Sequence, residues 1–246
     1  MIEIKNLHKS FGKKEILRGV NLKIKEGATT VIFGLSGSGK STIIKHIVGL
    51  LKADAGEISV DGRDITNLAG RELLELRKKI GFLFQSGALF DSMNVYENVA
   101  FPLREHTTFS EERIRQEVYA ALDMVALEPA RVSKLYPDEL SGGMRKRAGL
   151  ARTIILKPEI LLYDEPTTGL DPIISDQISQ MIIKLQKEFK ITSLLISHDI
   201  KESFKCADYA AMLYEGVIIE SGDAINFKNS PNPIVQCFLE GREITI

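Results

Sequence analysis

The run Gly34-Leu35-Ser36-Gly37-Ser38-Gly39-Lys40-Ser41 constrains this chain more than any other stretch. It satisfies the pattern G-x-x-x-x-G-K-[ST] and stands between Thr29-Thr30-Val31-Ile32-Phe33 and Thr42-Ile43-Ile44, the context in which that pattern has physical meaning. The residues before it are β-branched and apolar, which predicts a buried strand. Those after it place Ile43, Ile47 and Leu50 at i, i+4 and i+7, one face of a helix. Glycines let the backbone turn tightly and aim its N–H groups inward. The helix adds its positive N-terminal end, so Gly34 to Thr42 forms a cradle for an anion. A polyphosphate there would take Lys40 on its β- and γ-groups and the Ser41 hydroxyl on Mg²⁺.

Three further apolar runs end on polar residues. Ile160-Leu161-Leu162-Tyr163 runs into Asp164-Glu165, Ile80 to Phe84 into Gln85, and Thr192 to Ser197 into His198. Helical patterns stand between them. Ser110 is placed as an N-cap with Glu111 and Glu112 in the first turn, before an apolar face of Ile114, Val118, Ala121, Leu122 and Val125. Pro172 suits the first turn of a helix whose buried face is Ile174, Ile178, Met181, Leu185 and Phe189. Strands alternating with helices predict an α/β fold with a mainly parallel sheet covered on both faces.

Elsewhere the period is two. Ile2/Ile4 and Val20/Leu22/Ile24 alternate with charged neighbours, as in a sheet with one wet face. Gly56 to Gly62 is an alternating strand closed by Asp-Gly, and Tyr209 to Tyr214 with Val217 to Glu220 reads as a hairpin across Glu215-Gly216. Ser10-Phe11-Gly12 is a turn whose aromatic either stacks on a base or only anchors the turn. Ser86 to Arg104 shows no clean period and contains Gly87, Asn94 and Pro102. Its apolar residues (Leu89, Phe90, Met93, Val95, Phe101 and Leu103) point to a docking surface, on which Glu97 and Arg104 are the charges to reverse.

Bulk properties exclude several classes. Among 246 residues, 32 basic against 33 acidic side chains leave no global electrostatic footprint for nucleic acid. No apolar stretch approaches the length that spans a bilayer, and Met1 leads directly into the strand-like Ile2-Glu3-Ile4, so the chain is expected to stay in the compartment where it is made. Cys206 and Cys237 have no C-x-x-C spacing, which predicts reduced thiols. His8, His46, His106 and His198 form no pair at metal-ligand spacing.

Open parallel sheets bind ligands beyond the carboxyl ends of their strands. Bringing those ends together would surround one phosphate chain with a lysine, a hydroxyl, two carboxylates, an amide and an imidazole, the groups that phosphoanhydride hydrolysis needs. In that arrangement Asp164 holds Mg²⁺ or its waters and Glu165 activates the attacking water. Gln85 reaches the metal and senses the γ-phosphate, and His198 hydrogen-bonds that phosphate or holds the attack geometry. Leu140-Ser141-Gly142-Gly143-Met144 is a second helix start able to expose N–H groups to an anion. Arg145, Lys146 and Arg147 follow at once, where the helix dipole disfavours positive charge. Either a bound anion offsets that cost or the three side chains reach water.

Together these residues resemble the nucleotide-binding subunit of an ATP-binding cassette (ABC) transporter over nearly the whole chain. Gly34 to Ser41 resembles the Walker A loop, Gln85 the Q-loop glutamine and Leu140-Ser141-Gly142-Gly143 the signature. Ile160 to Asp164 with Glu165 resembles Walker B, Gly169-Leu170-Asp171 the D-loop, His198 the switch histidine and Phe11 the base-stacking aromatic. The resemblance implies a P-loop NTPase with a RecA-like core, an N-terminal antiparallel β subdomain, a helical subdomain at about 86–158 and a short C-terminal tail at about 226–246. It implies a head-to-tail homodimer in which ATP and Mg²⁺ lie between one copy's Walker A and the other's Ser141-Gly142-Gly143.

Within the family, several stretches are most similar to the ATPase of Mla-type, MCE-associated phospholipid transporters. They are Phe84 to Phe90, Met93 to Val99, Phe101 to His106, Met144 to Arg152, and Tyr163 before Asp164. That implies a peripheral subunit on the cytoplasmic side of a bacterial inner membrane. A permease would dock on about 86–104, an MCE-domain periplasmic protein would share the complex, and nucleic acid would have no part. Importers of other solutes share the same catalytic motifs and form the alternative. The tail is shorter than the extended one that some members wrap around the partner ATPase.

Overall fold

In the computed structural model, which describes residues 1–243, the two hydrophobic periods build two sheets. The period-two N-terminus gives β1 (Ile2–Phe11) and β2 (Lys14–Ile24), paired antiparallel, with β4 (Ala55–Val60) and β5 (Arg63–Asp64) completing the order β2-β1-β4-β5. Between them lie β3 (Thr29–Phe33) and the helix after the glycine loop, α1 (Lys40–Ile47). Next come α2 (Gly70–Lys79), β6 (Ile80–Leu83) and four helical segments: α3 (Val95–His106), α4 (Glu111–Met124), α5 (Pro129–Val132) and α6 (Gly142–Ile154). The chain continues through β7 (Ile160–Asp164), α7 (Pro172–Phe189), β8 (Thr192–Ile196), α8 (Ile200–Cys206), β9 (Tyr209–Tyr214) and β10 (Val217–Asp223), then α9 (Ala224–Lys228) and α10 (Pro233–Leu239).

The second sheet has the order β10-β9-β3-β8-β7-β6, parallel except for β10 at its edge. All five residues of β3, of β7 and of β8 are buried, Thr29, Thr30, Thr192, Ser193 and Asp164 together with the apolar ones, as in a parallel sheet covered on both faces. Alternate residues serve different cores. Val31, Phe33, Leu161, Tyr163 and Leu195 face a core shared with α3, α4, α6 and α7. Ile32, Ile160, Leu162, Leu194 and Ile196 face one closed by α1 and the antiparallel sheet. Among the described residues no helix is long and apolar enough to cross a membrane.

Two expectations about helix faces fail at their ends. Leu50 is 51% and Phe189 47% exposed. α1 stops at Ile47 because Gly49, at φ +65°, turns left-handed. Its N–H then donates to His46 O at 3.0 Å while Leu50 N–H donates to Lys45 O at 2.8 Å, a Schellman ending that throws Leu50 outward.

The larger difference lies in 86–104, where the second half is helix. Asn94 caps α3 in a capping box: its Oδ1 accepts from Glu97 N–H at 2.8 Å, and Glu97 Oε2 accepts from Asn94 N–H at 2.9 Å. Pro102 sits inside α3 and blurs the helical period, because it cannot donate a backbone hydrogen bond. Glu97 and Arg104 are thereby committed. Glu97 holds the cap and Arg104 grips Glu111 with two hydrogen bonds at 3.0 and 2.8 Å, so reversing either charge would also break a contact within the chain.

The tail folds on its own chain. Phe227 and Val235 are buried, and Phe204, Phe227 and Phe238 gather round Phe33 with ring centroids 5.1, 5.9 and 6.0 Å away. Residues 244–246 of that expected tail lie outside the described residues.

Candidate functional site

β3 ends in the glycine loop, and its turn is sterically fixed. Gly34 has φ +154°, and a Cβ on it would lie 2.4 Å from Leu213 O on β9. Gly34→Ala is expected to cost about 1–3 kcal/mol in backbone strain alone. Displacing the loop should also remove nucleotide binding, so a thermal melt should show a lower Tm that added ATP no longer raises.

Inside the loop, Lys40 is buried and donates to Gly34 O at 2.8 Å and Leu35 O at 2.9 Å. Burial lowers its pKa, against the pull of Glu165 and Asp164. Ser38 Oγ is buried and has no hydrogen-bond partner among the described residues. The loop therefore presents an ammonium resting on its own carbonyls and an orphaned hydroxyl, both of which phosphate oxygens would satisfy. Ser41 Oγ donates to Asp164 Oδ1 at 2.8 Å, which joins the ends of β3 and β7 across β8. Among the described residues no three His, Cys, Asp or Glu side chains converge to hold a metal. One hydroxyl and one carboxylate suit an octahedral Mg²⁺ that takes its other oxygens from phosphates and water.

Next along β7 comes Glu165. Its φ is +53°, the left-handed region that bulky side chains avoid, and its N–H donates to Ile196 O at 2.9 Å. This turn lifts the carboxylate out of the sheet. Its Oε2 accepts from Thr168 Oγ1 at 2.9 Å and from His198 Nδ1 at 2.8 Å. A carboxylate only accepts, so Nδ1 carries the proton and Nε2 is left as an acceptor while the ring is neutral. Gln85, exposed at the end of β6, completes the rim. Phe11, Ser36, Gly37, Gly39 and Thr42 line the same open cavity of about 330 Å³.

The chain thus brings together Phe11, Gly34 to Thr42, Gln85, Asp164, Glu165 and His198. It does not bring Ser141, Gly142 and Gly143 there. Ser141 caps α6, its Oγ accepting from Met144 N–H at 3.3 Å, and Gly143 passes so close to α7 that a Cβ would lie 2.6 Å from Ile174 Cγ2. Of the basic residues that follow, Arg145 and Arg147 stay half-buried while bonding their own chain, and only Lys146 is fully withdrawn from water. Arg145 donates to Leu140 O at 3.5 Å, and Arg147 to Ala126 O at 3.3 Å and to Gln177. Lys146, 5% exposed, donates to Glu165 O at 2.9 Å.

Reading motifs alone misses Lys146, Thr168 and Ile16, which lines the cavity. Lys146 was within reach of a helical wheel, three residues after buried Gly143 and four before buried Leu150.

A glycine loop at the end of a central parallel strand, with two carboxylates one strand beyond its neighbour, defines a P-loop nucleoside triphosphatase. The sequence pattern of the ABC transporter family matches residues 17–168. The chain is 45% identical over 241 residues, 98% of its length, to the intermembrane phospholipid transport system ATP-binding protein MlaF of Haemophilus influenzae, and covers 90% of that protein. It is 44% identical to the probable ribonucleotide transport ATP-binding protein mkl of Mycobacterium leprae, over 99% of its own length and 70% of that protein. The ATP-binding cassette MJ0796, in a dimeric post-hydrolysis state bound to ADP and Pi, superposes with a TM-score of 0.84 at 34% identity, across 91% of this chain and 99% of that one. The chain belongs to the ABC transporter family. It is an ATP-binding and ATP-hydrolysing cassette subunit with that family's P-loop fold.

Proposed function

We propose that this subunit powers phospholipid transport between the inner and outer membranes of a bacterium. The observation that carries the reading is the end-to-end likeness to the phospholipid-system ATPase, of which the chain spans 90%. Lys40 leaves the Gly34 and Leu35 carbonyls for the β- and γ-phosphates, the loop N–H groups from Gly34 to Thr42 take the remaining phosphate oxygens, and Phe11 stacks on the base. Ser41, Asp164 and Gln85 would hold Mg²⁺, which when bound supplies positive charge to the phosphate oxygens. Glu165 takes a proton from water as its oxygen bonds to the γ-phosphorus and the bond to ADP breaks, while His198 orients the carboxylate and the phosphate.

Ser141, Gly142 and Gly143 lie outside their own chain's crevice, which supports a homodimer in which each signature closes the partner's site. Residues about 86–158 then form the helical subdomain, and about 86–104 carry the permease. A complex on the cytoplasmic side of the inner membrane, with a periplasmic MCE-domain protein and no nucleic acid, completes the reading. The mycobacterial relatives' name makes transport of another solute the alternative.

The test is transfer by the complex co-purified with this chain and reconstituted in liposomes. ATP should drive movement of a fluorescent phospholipid, and Glu165→Gln should stop it. ATP-dependent uptake of a ribonucleotide with no lipid movement would transfer the assignment to the alternative.

A further inference from the structure

Lys146 is the one buried cation in the second turn of α6, the helix that starts at the signature serine. Its ammonium crosses to β7 and meets a main-chain oxygen, that of Glu165, at 2.9 Å. That carbonyl belongs to a residue in a strained left-handed conformation at φ +53°. Besides Lys146, the only donor it has among the described residues is Thr168 N–H at a long 3.4 Å. A buried ammonium on a carbonyl is a charge-assisted bond, well above an ordinary amide contact in strength. The carboxylate end of Glu165 is tied separately, by Thr168 Oγ1 and His198. Removing Lys146 would therefore loosen the carbonyl side of the turn, whose N–H stays on Ile196 O, while leaving the carboxylate's own partners in place.

We propose that Lys146 is the positioning residue for the hydrolytic carboxylate: by holding the Glu165 carbonyl it fixes the turn that aims the side chain, and it links the helix beginning at Ser141 to the chain's own crevice. The proposal rests on reading Glu165 as the base. Burial lowers the ammonium to about 8, opposed by Glu165 and Asp164, so it stays charged at neutral pH. Any displacement of α6 at Ser141 reaches Glu165 through one side chain, without passing through the glycine loop.

The experiment compares steady-state hydrolysis by the purified full chain with Lys146→Met, Lys146→Ala and Lys146→Gln, each also in a Glu165→Gln background. Methionine and alanine remove the donor, and glutamine restores one. Met and Ala are expected to lower turnover about tenfold, with KM for ATP and the affinity for a fluorescent ADP both within about twofold of wild type. Gln is expected to stay within about threefold. Once Glu165 is Gln, Lys146→Met should lower single-turnover hydrolysis no further, because both changes act on one group.

A fall of less than about threefold for Met and Ala overturns the proposal, as does Gln falling with them. A repeat of the loss in the Glu165→Gln background, or loss of ADP binding by both Met and Ala, overturns it too, by making Lys146 a residue of the fold alone. Near-normal hydrolysis by Glu165→Gln itself would instead remove the base on which the proposal rests.

Discussion

Glu165→Gln is expected to bind ATP normally and hydrolyse it about 10²- to 10⁴-fold more slowly, the range for a general base. Glutamine has the same shape, and its amide oxygen can still accept from Thr168 Oγ1 and His198 Nδ1, so the left-handed turn and the rim of the crevice survive. Lys40 and the loop proposed to take the phosphates make no bond to the Glu165 side chain, and the pair Ser41–Asp164 is untouched. What is lost is a basic oxygen. Phosphate release by the purified chain measures the loss, and an undiminished rise of Tm with ATP shows that binding is intact. Turnover near the wild-type rate would pass the role to another group, His198 being the nearest.

Asn98→Ala should produce the largest loss of stability from a single polar side chain. Asn98 is fully buried on α3, yet its bonds reach back to the loop before that helix. Its Nδ2 donates to Phe90 O, Met93 O and Asn94 O at 3.0, 2.9 and 3.1 Å, and its Oδ1 accepts from Phe90 N–H at 2.7 Å and Arg152 at 3.4 Å. Alanine leaves Phe90 N–H and Met93 O without a partner among the described residues, whereas Phe90 O and Asn94 O keep backbone donors. The expected loss is about 3 kcal/mol once the cavity is included. In a chain of this length that is about 6–12 °C in Tm. Asn98→Asp keeps the bond to Phe90 N–H but points a carboxylate at three carbonyls, so it should melt no higher than Asn98→Ala. Hydrolysis assayed well below the melt should be spared more than transport by the whole complex, since Asn98 does not line the crevice. Equal losses in both would show that the loop it anchors serves the catalytic site directly.

The crevice was legible in the sequence because the strands that feed it are short, mostly apolar runs ending on Gln85, Asp164-Glu165, His198 or the glycine loop. Burial makes such runs conspicuous, and one glycine loop then orients the rest. Helix α3 was harder. Pro102 blurs its period, although Asn94 and Glu97 already spelled a capping box three residues apart. Leu50 satisfies the spacing of a helix that ends before reaching it, and Phe189 is the last residue of its helix, since a period carries no stop signal unless Gly49 or Lys190, each left-handed, is weighed as one. The burial of Lys146 was hidden by its neighbours. Between Arg145 and Arg147 it reads as one solvated run, although a helix turns each of the three in a different direction. That Ser141 to Gly143 stay out of their own crevice depends on tertiary placement, which no local pattern reports.

The contact between α6 and the loop after Gln85 has a mechanical consequence. A Cβ on Gly149 would lie 2.8 Å from Gly87 O, so helix and loop touch backbone to backbone. Arg152 clamps the same place, donating to Ala88 O at 2.7 Å and to Gly87 O at 3.3 Å. No soft side chain lies between them to absorb displacement. Loop and helix therefore share one rigid register at this joint, with no slack between their backbones. Gly149→Ala would act as a shim there, forcing the loop after Gln85 away from the helix that starts at Ser141.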